Sequence, residues 1–106
     1  GFHVPPSELD GILLELPALA DAAVIPLPDI EAGEVPKAFV VTKKGNSISE
    51  SDLMKFVAAK VATFKQIREV EFVDSIPKNP SGKLLRRALV ERDRERNTIP
   101  GETLSQ

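Results

Sequence analysis

The segment from Ile76 to Arg87 combines residue types that suit it to contact an anionic substrate. Pro77 and Pro80 restrict its backbone, and Gly82 permits a positive φ, so we expect Lys83 at the tip of a stiff, exposed turn. A lysine ammonium is a compact charge that suits a carboxylate or a phosphate whose negative charge grows in a transition state. We expect a helix that starts near Lys83 to add the positive end of its dipole.

Ser-Gly-Lys has two other interpretations. An arbitrary tripeptide of this kind is usually a plain turn before a helix. A phosphate-cradling P-loop, G-x-x-x-x-G-K-[ST], requires a glycine where Pro77 stands and a hydroxyl where Leu84 stands. The P-loop therefore fails at two positions.

The first forty residues predict one helix and two strands that precede this segment. Ser7 can cap a helix that Pro17 ends. Its apolar stripe, at helical spacing, consists of Leu9, Ile12, Leu13 and Leu16. Residues 21–27 predict a buried strand with Pro26 at its end or edge, because proline cannot donate to a ladder. Across a loop at 28–35, residues 38–42 predict a second, antiparallel strand.

The sequence after residue 42 predicts a helix, a strand and a last helix. Ser49, followed by Asp52, resembles a capping box. The buried face of that helix is predicted to be Leu53, Phe56, Val57 and Val61. Residues 68–74 alternate as a half-buried strand, with Val70 and Phe72 inward. The last helix is predicted to turn inward Leu84, Leu85, Ala88 and Leu89.

This order predicts an α+β fold in which about three helices pack on a small, mostly antiparallel three-stranded sheet. The charges of residues 91–96 alternate in sign, which suits a solvent-exposed helix end. Residues 98–106 lack an apolar period and are expected to form a flexible tail.

Composition excludes several function classes. The 106 residues include 14 Lys plus Arg and 16 Asp plus Glu, a net charge of −2, and neither Trp nor Tyr, which disfavours nucleic-acid binding. The absence of cysteine excludes a disulfide framework, a thiolate metal site and a cysteine nucleophile, and fits a cytoplasmic location. No apolar run is long enough for a membrane span.

Four stretches in order closely resemble the C-terminal domain of the adenylate-forming (ANL) superfamily, which includes acyl-CoA synthetases, 4-coumarate:CoA ligase and firefly luciferase. The stretches are residues 1–9 (GFHVPPSEL), 21–29 (DAAVIPLPD), 32–41 (AGEVPKAFVV) and 72–87 (FVDSIPKNPSGKLLRR). The resemblance covers about residues 1 to 92. Within the superfamily, the four stretches are most similar in type to those of 4-coumarate:CoA ligase-like acyl/aryl-CoA synthetases.

The resemblance implies an acid-thiol ligase that works in two steps. A carboxylic acid and Mg-ATP give an acyl-adenylate, and coenzyme A then displaces AMP. Residues 1–97 would be a mobile lid that partners a large N-terminal domain for ATP and the acid, which lies outside this chain. The chain is accordingly expected to be a fragment that is inactive alone and holds no Mg²⁺ itself.

The resemblance also assigns roles to particular residues. Lys83 matches the lysine that contacts the substrate carboxylate and the nucleotide during adenylation, by charge stabilisation and orientation. The opposite face, with Gly1 and Phe2, would line the path of the coenzyme A thiol. His3 stands where the family commonly has glutamine near the nucleotide phosphate; a histidine can still donate a hydrogen bond, and an exposed loop histidine without a role is the alternative.

Other charged groups have plainer interpretations beside functional ones. Three acids in one loop are expected to be a solvated hairpin and not a cation site; they are Asp29, Glu31 and Glu34. Two basic groups could guide phosphates or be ordinary surface charge; they are Lys78, Arg86 and Arg87, and Lys60, Lys65 and Arg68.

Two further hypotheses concern regulation and class. Pro77 to Lys83 fits P-x-x-x-x-G-K, the context in which lysine acetyltransferases silence related bacterial synthetases, and acetylation would remove the charge of Lys83. The rival to the ligase is a stand-alone α+β interaction module that has this fold without catalysis.

Overall fold

The computed structural model describes residues 6–29, 31, 33–61 and 66–97. The elements follow in the order α1 (Pro6–Leu13), β1 (Leu19–Asp29), β2 (Gly33–Thr42), α2 (Glu50–Ala58), β3 (Glu69–Phe72) and α3 (Arg86–Asn97). The predicted order of helices and strands is confirmed. The chain forms two compact units, Gly1–Ile76 with the sheet and Pro77–Gln106 with α3. The predicted tail at 98–106 lies outside the described residues.

The three strands form one sheet in the order β1-β2-β3. β1 and β2 are antiparallel, from Leu19 opposite Thr42 to Asp29 opposite Gly33. β2 and β3 are parallel over four residue pairs, because α2 carries the chain back across the sheet between them. The predicted α+β class is confirmed, and the sheet is mixed, with its long pair antiparallel and its short pair parallel.

One face of the sheet packs against α1 and α2. Because side chains alternate along a strand and recur every three or four residues along a helix, each element contributes a single apolar side to this core. The fully or nearly fully buried members are Leu9, Leu13, Leu19, Ala22, Val24, Ala38, Val40, Leu53, Val57 and Ile67. Leu53, Phe56 and Val57 confirm the predicted face of α2, with Phe56 half-buried. Val61, predicted on the same face, lies after the end of α2 at Ala58 but still packs partly against this core.

The opposite face of the sheet contains a buried lysine. The strand residues that alternate with the core include three with no exposed surface, Ala23, Ile25 and Phe39. Between them, Lys37 is only 6% exposed, and its Nζ lies 3.0 Å from Glu71 Oε1 and 3.8 Å from Glu69 Oε1. The ammonium also lies 4.9 Å from the centre of the Phe39 ring. β2 and β3 are thus joined by charge as well as by their ladder.

Pro26 lies inside β1, which is two residues longer at each end than predicted. It stands opposite Pro36 of β2, so neither partner of this pair needs a donor from the other. β1 is an edge strand, and the predicted edge position of Pro26 is therefore confirmed.

The outer side of β1 has few free donors. The Val24 N–H donates to Asp10 Oδ1 of α1 at 2.7 Å. Two residues earlier, the Ala22 N–H donates to the Asp21 carboxylate at 2.9 Å. Along β1, the next two residues whose backbone nitrogen is directed to this outer side are Pro26 and Pro28, and proline has no N–H.

Two further predictions, the end of the first helix and the inward orientation of Phe72, are wrong. α1 ends at Leu13, well before Pro17, and single turns then carry the chain to β1, with the Leu16 N–H donating to the Leu13 carbonyl. Leu16 still packs partly against the core. In β3, Phe72 is 46% exposed instead of inward, because β3 is short and lies at the other edge of the sheet.

Candidate functional site

Lys83 lies in a tight loop whose two ends are held together by backbone hydrogen bonds. Lys78 and Leu84 form an isolated antiparallel bridge. The Leu85 N–H donates to the Pro77 carbonyl at 3.0 Å, one step further from the tip. At the tip, Gly82 has φ +86°, the left-handed conformation that glycine adopts without strain. The turn predicted from Gly82 and the two prolines is what the structure shows.

The side chain of Asn79 fills the inside of this loop. Its Oδ1 accepts hydrogen bonds from the Ser81 N–H at 3.0 Å, the Ser81 hydroxyl at 2.9 Å and the Lys83 N–H at 2.8 Å. Asn79 was not among the predicted site residues. The available signal was an asparagine two residues before a serine in a glycine-containing turn, the usual setting of an Asx turn.

The side chain of Lys83 is exposed, as expected for a group that meets a partner. Its part in chemistry remains a prediction. The last helix was expected to begin near Lys83 and to add the positive end of its dipole there. This prediction is wrong, because α3 begins at Arg86. The bridge at Leu84 keeps the backbone extended there, and Leu85, predicted to face inward, is 41% exposed. Leu89, also predicted to be inward, is buried.

The other predicted site residues are only partly covered by the structure. Gly1, Phe2 and His3 lie outside the described residues. Lys60 forms an ion pair with Glu15 at 3.0 Å and lies 5.1 Å from the centre of the Phe56 ring, so it is engaged between α1 and α2. Its predicted neighbour Lys65 lies outside the described residues, and Arg68 is exposed.

Among the residues that the structure describes, no group of three or more His, Cys, Asp or Glu side chains is arranged to hold a metal ion. Glu31 and Glu34 of the acidic hairpin are exposed.

An open groove of about 640 Å³ lies beside α2 in the first unit. Its apolar part is formed by Met54, Ala58 and Ile67, and serines, Glu50, Lys55 and Gln66 surround it. No motif or periodicity in the sequence indicates this groove.

The comparisons with known proteins decide the family. The profile of the family described as the AMP-binding enzyme C-terminal domain matches residues 8–83. The chain belongs to that family. The matched segment ends on Lys83, so it includes the sheet, α2 and most of the loop around Asn79.

Named relatives are CoA ligases. The chain is 56% identical over 89 residues to 4-coumarate--CoA ligase-like 2 of Arabidopsis thaliana, covering 84% of this chain and 16% of the relative. It is 57% identical over 90 residues to Peroxisomal OPC-8:0-CoA ligase 1 of the same organism, covering 85% of this chain and 16% of the relative. The chain thus spans about a sixth of the length of these curated relatives.

Comparison with solved structures supports the same family. The ATP-bound structure of MatB from Rhodopseudomonas palustris superposes with a TM-score of 0.81 at 34% identity, covering 87% of this chain and 18% of that one. The resemblance to the C-terminal domain of the adenylate-forming enzymes is therefore confirmed. No helix in the described part of the chain is long and apolar enough to cross a membrane.

Proposed function

We propose that this chain is the C-terminal lid of an ATP-dependent, 4-coumarate:CoA ligase-like acyl- or aryl-CoA ligase, and that Lys83 serves its adenylation step. The observation that carries the proposal is an exposed Lys83 at the tip of a loop held by its own hydrogen bonds, in a family whose named relatives are CoA ligases. An exposed cation on an ordered backbone suits contact with a substrate held by another domain.

In the adenylation step, a carboxylate oxygen of the acid attacks the α-phosphorus of ATP. The new bond joins the acyl oxygen to phosphorus, and the bond to pyrophosphate breaks. The Lys83 ammonium donates to the carboxylate and the nucleotide and stabilises negative charge as it develops there. The role of Lys83 is charge stabilisation and orientation, and no proton transfer through it is required.

The second step uses the acyl-adenylate and coenzyme A. The thiol loses its proton to solvent and its sulfur attacks the acyl carbon; the bond from that carbon to the AMP oxygen breaks, AMP leaves and a thioester forms. The lid turns a different face to the N-terminal domain for this step, with Gly1 and Phe2 along the path of the thiol and His3 as a hydrogen-bond donor to the nucleotide. ATP and its Mg²⁺ are held by the N-terminal domain.

Two finer proposals accompany this function. We infer a cytoplasmic location from the cysteine-free sequence, although one relative bears a peroxisomal name. We also propose that a lysine acetyltransferase can silence the enzyme at Lys83, because acetylation would remove the charge that adenylation uses. A gain of one acetyl mass at Lys83 on incubation with such an enzyme is the expected result, and an unchanged intact mass would contradict it.

The proposed role of Lys83 is tested by separating the two steps in the full-length protein. For Lys83→Ala we expect ATP–pyrophosphate exchange with the acid to fall about a hundredfold or more. Thioester formation from a supplied acyl-adenylate should be largely retained. Lys83→Arg keeps the charge but changes its shape, so it should recover only part of the exchange.

Lys44→Ala is the matched control. Lys44 is also an exposed lysine in a turn beside a positive-φ glycine, Gly45, and it should be neutral in both assays. Normal exchange in Lys83→Ala would overturn the proposed role. It would favour the rival, an interaction module without catalysis.

A further inference from the structure

We propose that Asn79 is the positioning residue of Lys83, acting through the backbone of the loop and not on the substrate. The inference rests on the proposed function of Lys83. Lys83 can serve adenylation only if its Cα is held in one place, and Asn79 makes the contacts that hold it.

Asn79 engages the loop through three of its atoms. Its backbone N–H donates to the Lys83 carbonyl and its backbone carbonyl accepts from the Gly82 N–H, both at 2.8 Å. Its Oδ1 accepts from both Ser81 groups and from the Lys83 N–H. Both backbone polar groups of Lys83 are therefore bonded to the same residue.

The tip of the loop has little else to hold it. Pro80, Ser81, Gly82 and Lys83 are all exposed, so apolar burial contributes little there. The backbone bonds at the tip also face water, which competes with them. The Asn79 side chain, which is half-buried, places one acceptor at the centre of the turn and satisfies three donors at once. Its loss would let the tip adopt several conformations, and Lys83 would spend only part of its time in the reactive one.

The chemistry of the side chain predicts a graded series. Alanine removes the acceptor. Serine offers a shorter and weaker acceptor that can still form a related turn, so it should rescue part of the effect. Aspartate keeps the acceptor geometry but adds a negative charge to the loop that carries Lys83, so it should preserve the loop while weakening attraction of anionic substrates.

The test is a double-mutant cycle between Asn79→Ala and Lys83→Ala in the full-length protein, read by ATP–pyrophosphate exchange. We expect Asn79→Ala alone to lower kcat/KM for exchange about tenfold, and Asn79→Ser about threefold. In the Lys83→Ala background, Asn79→Ala should cost less than about twofold more, because Asn79 acts through Lys83.

Two controls separate positioning from folding. Asn46→Ala removes an exposed asparagine from a different turn, where its side chain donates only weakly to the Lys44 carbonyl at 3.5 Å, and should leave exchange unchanged. Thioester formation from a supplied acyl-adenylate should also be unchanged in Asn79→Ala, which a general loss of folded protein would not allow. Amide hydrogen exchange of the full-length protein should show faster exchange at Ser81 and Lys83 in Asn79→Ala, with the core amides of the sheet unaltered.

The possible results fall into distinct classes. Normal exchange in Lys83→Ala would refute the proposed function, and this inference with it. A large loss in Lys83→Ala with normal exchange in Asn79→Ala would refute only the positioning role. Losses that multiply fully in the double variant would also refute it, because Asn79 would then act independently of Lys83.

Discussion

The buried lysine between β2 and β3 yields a prediction about stability. We consider Glu71→Gln and Lys37→Met, each of which removes one charge and nearly preserves volume. The Lys37 side chain is 8% exposed, whereas that of Glu71 is 17% exposed and that of Glu69 is 58% exposed. Glu71→Gln therefore leaves a desolvated ammonium, while Lys37→Met leaves carboxylates that water can reach.

The magnitudes follow from this asymmetry. Removing one partner of a fully buried ion pair costs about 3–5 kcal/mol. Glu71→Gln should cost less, about 2 kcal/mol, because glutamine still offers an oxygen and Glu69 remains 3.8 Å from the ammonium. Lys37→Met should cost about 1 kcal/mol, because its stem continues to pack while Glu71 gains hydration. The double variant should cost less than the sum, by about 1 kcal/mol.

The assay is urea unfolding at neutral pH followed by far-UV circular dichroism, since the chain has no Trp or Tyr for fluorescence. A loss of 2 kcal/mol should also lower Tm by roughly 10 °C. Glu34→Gln, at an exposed carboxylate in β2, is the control and should be near neutral. A larger loss for Lys37→Met than for Glu71→Gln would refute the desolvated-lysine explanation, and strictly additive losses would refute the coupling.

Three further perturbations test local features by the same unfolding measurement. Gly11→Ala and Gly82→Ala make the same chemical change, and in both the new Cβ has no atom within 4 Å. Gly11→Ala in α1 should raise the free energy of unfolding by up to about 1 kcal/mol, whereas Gly82→Ala, at φ +86°, should lower it by about 1 kcal/mol. Changes of the same sign would contradict this explanation from backbone conformation. Asp10→Ala should cost about 1–3 kcal/mol because the Val24 N–H loses its acceptor, and Asp10→Asn should recover most of that loss. Ser49→Ala should cost about 1 kcal/mol through the lost N-cap of α2, and a neutral result would show that the cap is replaced by water.

The features that the sequence predicted well depend on neighbours along the chain. Ser49 caps α2, and Leu53 and Val57 lie on its buried face, because capping and helical periodicity involve residues within one or two turns. The turn at Gly82 was predictable for the same reason. The location of Lys83 in an exposed loop follows from those local signals.

The features that the sequence did not predict depend on contacts between distant residues, which the periodicity of apolar residues does not reveal. Phe72 alternates like an inward residue, but whether it is covered depends on what lies beside an edge strand. The start of α3 at Arg86 depends on the bridge between Lys78 and Leu84, which competes with the first helical turn. The bonds of Asn79 Oδ1 arise from a loop geometry that residue types alone suggest without specifying.

The outer side of β1 has a consequence for how this sheet meets other chains. A strand that added to this edge would need donors from Ala22, Val24 and the two positions after them that face the same way. The N–H groups of Ala22 and Val24 already donate to carboxylates, and Pro26 and Pro28 have no N–H. Half of a new ladder is thereby removed. The edge is therefore a poor template for strand addition, which limits edge-to-edge association of this sheet at high protein concentration.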